Sequence, residues 1–219
     1  MYPRLKAAFD WCVEHDADMP CDLLDDLHIL GVKTEAYYLR VLSKAVRDLY
    51  NDKTNSDDFL GTITRLLDEQ IVRAWNEGMR LNDLNPTRDM KPEFEDEIRR
   101  IQDSEFSYVQ GFMDAIEKAR TDQTPIDPLL SRAELWAGRY SDVVSRAQVF
   151  TAAKDLYFRW VYGDTIEHCE TCAAMAAEGI QPSTFWTEKQ AAGIYPKSPE
   201  LACNGFNCDC SMQAEDKPE

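Results

Sequence analysis

Hydrophobic residues recur at three- and four-residue steps through roughly the first 155 positions, the spacing of one face of an α-helix. The stretch from Glu35 to Tyr50 shows this spacing, and Thr34 before it is a residue type that caps helix N-termini. A second stretch begins at Ser56, its expected cap, and ends at Asn85-Pro86, because a residue before proline disfavours the helical conformation. The pattern predicts a helix over each stretch.

Two further helices are predicted before residue 156. Pro92 suits the first turn of a helix, where a backbone N–H has no partner, and the apolar stripe that follows runs to Ile116. Pro125 and Pro128 mark a break over 121–128. A last long helix is then expected from about Leu129 to about Asp155.

The pattern changes at residues 156–162, where aromatic and β-branched residues dominate and Gly163-Asp164 follows as a turn signal. We expect a strand here, a short helix over Ser183–Ala191, and a polar, disordered tail from 213 to 219. The predicted fold class is mainly α: a helical body over 1–155 and a small α+β module rich in cysteine over 156–212. We call the latter the cysteine module.

Five of the seven cysteines lie in the last quarter of the chain, with a spacing typical of a metal site. Two form a C-x2-C pair, two form a C-x4-C pair, and the fifth follows two positions later. Zinc prefers four ligands in a tetrahedron, and a thiol pair on each of two turns can supply them. The predicted ligands are Cys169, Cys172, Cys203 and Cys208, with Cys210 as the alternative ligand.

A shell of four thiolates would make the zinc structural, because it leaves no position open for water. The ion would then supply folding energy to a module too small to fold on hydrophobic burial alone. A module held by disulfides without metal is the alternative. Cys12 and Cys21 lie far from the cluster in sequence, and we expect them to be ordinary buried thiols.

A catalytic zinc is a further alternative. His168-Cys169-Glu170 matches the H-x-E element of zinc nucleobase deaminases, whose Glu moves protons for a metal-bound water. Those enzymes also carry P-C-x-x-C downstream, which this sequence lacks. The sequence also has no P-loop, no dinucleotide-binding motif and no G-x-S-x-G. The structural interpretation of the cysteines is therefore favoured.

Charge restricts the choice of partners, since 40 acidic residues outnumber 24 basic ones and the net charge is −16. Phosphate backbones are bound mainly through Lys and Arg, so we expect no direct contact with nucleic acid or an anionic membrane. No apolar run approaches the ~20 residues of a membrane span, and the N-terminus lacks the apolar stretch of a signal peptide. We expect a cytosolic protein, in which clustered cysteines are more often metal ligands than disulfides.

Several C-terminal segments together form a recognisable pattern: the aromatic segment 157–164, His168 to Cys172, Phe185-Trp186, Tyr195 to Ser198, and Leu201 to Cys210. They resemble the minor head, or head-morphogenesis, proteins of tailed phages in the phage Mu-like group. Such proteins carry an aromatic strand, a His in a turn and a closing Cys-x-Cys. The resemblance extends from about Arg132 to Met212, although Asp209 stands where an Arg is usual.

The resemblance implies a structural role without enzymatic activity. It implies a minor virion or procapsid protein, assembled in the host cytoplasm and placed near the portal during head assembly. The implied partners are phage head proteins, the portal first and then the major capsid protein. The alternatives are a non-viral zinc-binding adaptor for protein partners and, as the second, a zinc-dependent hydrolase or deaminase.

Overall fold

A computed structural model describes residues 35–163, 167–198, 200–203, 205 and 208–218. The described chain is mainly helical, with a small three-stranded sheet and a cysteine cluster near the C-terminus, which confirms the predicted fold class. Cys12, Cys21 and Thr34 lie outside the described residues. The elements in chain order are α1 (Glu35–Tyr50), α2 (Ser56–Leu81), α3 (Pro92–Phe106), α4 (Val109–Asp122), α5 (Asp127–Thr151), β1 (Tyr157–Val161), α6 (Glu170–Ala177), β2 (Gln181–Pro182), α7 (Ser183–Ala191) and β3 (Ser211–Glu215).

The N-terminus of α2 corrects one prediction. Asn55 caps this helix, and its Oδ1 atom accepts a hydrogen bond from the backbone N–H of Asp58 at 2.9 Å. Ser56 is the first helical residue, and its hydroxyl donates to the Glu117 carboxylate instead. Asparagine and serine cap helices about equally well, so the sequence did not distinguish the two neighbours.

The predicted helix from Pro92 to Ile116 is wrong in one respect, because it is two helices. α3 ends at Phe106, and α4 begins at Val109. Tyr108 at the junction keeps near-helical dihedral angles, φ −94° and ψ −13°. The apolar spacing therefore continues across the break, which is why the pattern does not reveal it.

The chain forms two compact units. Among the described residues, the first takes in 35–68 and 105–138. Phe112 lies in its core, with the Trp136 ring edge-on at a centroid distance of 4.8 Å and the Phe59 ring at 6.4 Å. The second unit takes in 69–104 and the described residues from 139 onward. The proposed boundary between a helical body and the cysteine module at 155–156 stays a prediction.

The helical part of the second unit packs around Trp75, whose ring lies within 6.3 Å of the Phe94 and Phe150 rings. Gly78 permits the close approach of α2 to α5, since a Cβ atom there would lie 2.5 Å from the carbonyl oxygen of Val144. No helix in the described part of the chain is long and apolar enough to cross a membrane.

The sheet has the order β2-β1-β3, and both pairs are antiparallel. β1 lies within the predicted segment, and its alternate residues Phe158 and Trp160 are buried. β3 contradicts the disordered tail predicted from residue 213, because Ser211–Glu215 pairs with β1 along its whole length. Strands pair through hydrogen bonds between backbone groups. A segment of polar residues can therefore pair with a neighbouring strand that is already formed.

Candidate metal centre

Cys169 and Cys172 are positioned by the start of α6. Cys169 is the N-cap residue, and its sulfur accepts a hydrogen bond from the backbone N–H of Cys172 at 3.4 Å. The first turn of the helix then brings Cys172 back toward the same side. A helix N-terminus carries partial positive charge, which stabilises a thiolate at this position.

Cys208 and Cys210 reach the cluster from the segment that leads into β3. Both are buried, with 7% and 2% exposure, whereas Asp209 between them is exposed. Alternate residues of an extended chain point to the same side, so a C-x-C spacing directs both thiols inward. Cys203, on the segment after α7, is partly exposed.

The five thiols form two overlapping groups. Cys169, Cys172 and Cys203 make one group, and Cys172, Cys208 and Cys210 make the other, with all sulfur atoms of a group within 4.8 Å of one another. The sulfur atoms of Cys172 and Cys208 are 3.8 Å apart. Metal–sulfur bonds of about 2.3 Å in a tetrahedron require a separation of about 3.8 Å, so the thiols are spaced to hold a metal ion.

All four predicted ligands, and the alternative Cys210, therefore meet in one cluster. The five thiols are free, with no disulfide among them. Cys210, predicted as the alternative ligand, is more deeply buried than Cys203. It belongs to the group that also contains Cys172 and Cys208. Which four thiols bind an ion stays a prediction.

His168 is the residue whose position the sequence argument missed. Its Nδ1 atom lies 3.9 Å from the sulfur of Cys210, and its ring stacks on Tyr162 at a centroid distance of 4.0 Å. The sequence places His168 next to Cys169, in the H-x-E motif and in the turn that carries the resemblance, and predicts no contact with Cys210. Its approach to Cys210, 42 positions away, depends on the pairing of β1 with β3.

Burial makes three of the five thiols harder to ionise, whereas the Cys169 thiol ionises more readily than usual. Burial raises the pKa of the Cys172, Cys203 and Cys210 thiols above the ordinary value. Burial also raises the pKa of Cys169, but hydrogen bonds from the Cys172 amide and from the neighbouring thiols outweigh it and lower the pKa to about 7. A divalent cation would offset the repulsion among crowded thiolates, and this donor set therefore fits a metal.

Aromatic residues form the support beneath the thiols. Trp160 and Trp186 belong to the same buried cluster as Cys172, Cys208 and Cys210. The indole Nε1 of Trp186 donates to the carbonyl oxygen of Phe158 at 2.8 Å, which ties α7 to β1. The cysteine positions therefore depend on the packing of the two tryptophans.

Gly163 lets the C-terminal end of β1 lie against the Cys208–Cys210 segment. A Cβ atom at this position would lie 2.2 Å from the Cβ and 2.3 Å from the carbonyl oxygen of Asp209, far inside van der Waals contact. Asp209 stands between two of the clustered cysteines, so any displacement of its backbone moves both thiols.

We expect Gly163→Ala to weaken metal binding by about tenfold or more, as loss of support around metal ligands commonly does. It should also destabilise the fold by about 1–3 kcal/mol through overpacking. Competition with a chromophoric chelator and urea unfolding measure the two effects. Gly61→Ala is the matched control, because nothing lies within 4 Å of a Cβ atom there. Equal metal affinity in both variants would contradict the expectation.

A buried carboxylate anchors the loop that precedes Cys203. The side chain of Asp142 in α5 is 8% exposed and lies 3.2 Å from the ammonium of Lys197, while Arg139 donates to the Lys197 carbonyl oxygen at 2.9 Å. Burial raises the pKa of Asp142 to about 6, although Lys197 and Arg139 act to lower it. The folded protein therefore takes up a proton at Asp142 more readily than the unfolded chain, where the pKa is about 3.9.

Because this pKa is raised on folding, the contribution of Asp142 to stability is present at low pH and is lost as the pH rises through about 6. Between pH 7 and pH 5, the free energy of unfolding should rise by about 1–1.5 kcal/mol relative to the Asp142→Asn variant. Urea unfolding of both proteins at the two pH values measures this. A difference between them that stays constant with pH would show that Asp142 does not titrate in this window.

The first unit contains a polar cavity of about 460 Å³ beside the turn between α1 and α2. Arg120 lines this cavity and forms an ion pair with Asp52 at 2.6 Å. Its charge is therefore already satisfied within the protein, and the cysteine cluster remains the stronger candidate site.

In the comparisons with known proteins, no family model, no curated protein and no solved structure matches the chain.

Proposed function

We propose that the cysteine cluster holds a structural zinc ion and that the protein is a minor head protein of a tailed phage, without enzymatic activity. One observation carries the first part: five thiols from three separate segments converge over a buried pair of tryptophans. Within one group, thiols separated by up to 38 positions lie within 4.8 Å of one another, so the fold brings distant cysteines together. A small module that gathers so many thiols gains its stability from the ion they bind.

Zinc is the ion that this donor set favours. Soft thiolates select zinc, copper(I) or iron–sulfur clusters over hard cations such as magnesium. Zinc has no redox chemistry and accepts the tetrahedral geometry that the 3.8 Å separation of Cys172 and Cys208 allows. Cys169, Cys172, Cys203 and Cys208 would close the shell, with Cys210 as the alternative ligand.

The head-protein assignment is supported by the positions of the residues that carry the resemblance. They are the aromatic strand β1, the His168–Cys172 turn, the Phe185-Trp186 pair of α7 and the closing Cys-x-Cys, the same residues that build the cysteine cluster. A shared metal module would explain why these particular positions match. The net charge of −16 suits a protein that binds other proteins beside packaged DNA without adhering to the DNA.

In this proposal the partner is the portal, with the major capsid protein as the second candidate, and the protein joins the virion after synthesis in the host cytoplasm. Co-expression with the portal and capsid proteins of the same phage, followed by affinity capture, tests it. We expect capture of the portal by the zinc-loaded protein and no shift of duplex DNA at about 150 mM salt.

Two outcomes would contradict the assignment. A protein that captures neither head protein would favour the zinc-binding adaptor, and a protein that shifts duplex DNA would refute the electrostatic argument. Glu170→Gln provides a separate test of the catalytic alternative. Glu170 is exposed in the first turn of α6, so its loss should change stability by no more than about 0.5 kcal/mol. A hydrolase or deaminase activity that depends on Glu170 would overturn the structural role.

A further inference from the structure

We propose that the cysteine cluster binds two divalent metal ions that share the thiolate of Cys172, a proposal that rests on the metal site of the proposed function. The two groups of thiols overlap at this one residue. Each group has three sulfur atoms within 4.8 Å of one another, which is one triangular face of a tetrahedral site. The geometry therefore provides two such faces, joined at one corner.

Cys172 is suited to bridge two ions. It is 1% exposed, and the two groups hold different neighbours of it: Cys169 of the same helical turn and Cys203 in one, Cys208 and Cys210 of the segment before β3 in the other. A thiolate sulfur has several lone pairs and can donate to a second soft ion after it has bound the first. One ion would therefore lie on the Cys169–Cys203 side and the other on the Cys208–Cys210 side.

His168 provides a fourth ligand for the ion on the Cys208–Cys210 side. The Nδ1 atom lies 3.9 Å from the Cys210 sulfur, and a tetrahedral zinc site with S and N ligands requires about 3.6 Å between them. A small rotation of the side chain covers the difference. The ion on the other side has the partly exposed Cys169 and Cys203 as ligands, so water completes its coordination.

Two ions also account for the whole set of donors. A single zinc with four thiolates leaves one clustered thiol out of the metal site. With two divalent ions, five thiolates carry a residual charge one unit less negative than four thiolates around one ion. Reduced residual charge lowers the cost of burial, in a chain that already has a strong negative charge.

The test uses the full chain with Cys12→Ser and Cys21→Ser, so that only the five clustered cysteines remain. The metal-free protein is titrated with Cd²⁺ and observed by ¹¹³Cd NMR. We expect two ions per chain and two resonances, each split by coupling through the shared sulfur. Cys169→Ser and Cys210→Ser should each reduce the stoichiometry to one ion and leave a single resonance without splitting.

The outcomes separate this proposal from the structural zinc site. One ion per chain, with the fifth thiol open to alkylation in the metal-loaded protein, would overturn the two-ion cluster and leave the structural site in place. No bound ion, with all five thiols open to alkylation, would overturn both. The stoichiometry of the protein with all five clustered cysteines decides between these results even if a variant that lacks one of them fails to fold.

Discussion

Loss of the metal should unfold the cysteine module and leave the helices of the first unit folded. Cys172 belongs to both groups of thiols and is buried, so Cys172→Ser removes a ligand from any ion the cluster holds. Structural zinc contributes on the order of 10–16 kcal/mol in small zinc-binding peptides, which is comparable to the entire stability of a typical domain. We therefore expect no stable module in this variant or in the chelator-treated protein.

Hydrogen exchange resolves this effect along the chain. Protection should be lost over β1, α6, α7 and β3, and it should persist in α1 and α4, which belong to the first unit. Far-UV circular dichroism should change little, because the long helices precede the module. Cys12→Ser, a substitution far from the cluster in sequence, is the control. Protection that survives chelator in β1 and β3 would mean that the module folds without metal.

The helices show where sequence reasoning succeeds. α1 and α7 have the predicted bounds, and β1 lies within the predicted segment. α1 combines a periodic apolar pattern with a capping residue type before it, and β1 combines aromatic and β-branched residues with a turn signal after it. Local sequence then contains both the period and the end points.

β3 shows where it fails. Met212 is the one buried residue of this strand, so no alternation of apolar and polar positions announces it. Its register is fixed by β1, and Arg159 of β1 forms an ion pair with Glu215 at 2.6 Å. An edge strand specified by its neighbour cannot be recognised from its own residues, and the sequence therefore predicts a polar tail from residue 213, inside β3.

The cysteine cluster, too, is predictable from the sequence only in part. The spacing of the cysteines predicts that they meet, because C-x2-C and C-x4-C pairs are local features. It does not predict that Cys210 lies deeper than Cys203, or that His168 approaches Cys210. Both depend on how β3 pairs with β1, a contact between residues about 50 positions apart. That the cysteines form a cluster is therefore easier to predict from sequence than their arrangement within it.

Trp186→Ala should produce the second large effect, since it removes the support beneath the thiols. Trp186 is 2% exposed, its ring lies 4.9 Å from that of Phe185, and it contacts the cluster that contains Cys172. Removal of a buried tryptophan side chain costs about 3–5 kcal/mol. We expect the free energy of unfolding of the zinc-loaded second unit to fall by this amount in urea titrations.

Trp186→Phe separates packing from hydrogen bonding. Phenylalanine keeps a ring at this position but cannot donate to the Phe158 carbonyl oxygen, a bond of 2.8 Å in the native protein. Its cost should be smaller, about 1–3 kcal/mol for a buried acceptor left without its partner. Metal affinity should fall with Trp186→Ala and change little with Trp186→Phe, since phenylalanine keeps an aromatic ring in the buried cluster that contains Cys172, Cys208 and Cys210. Equal metal affinity in the two variants would show that the cysteine cluster holds its geometry without the aromatic support.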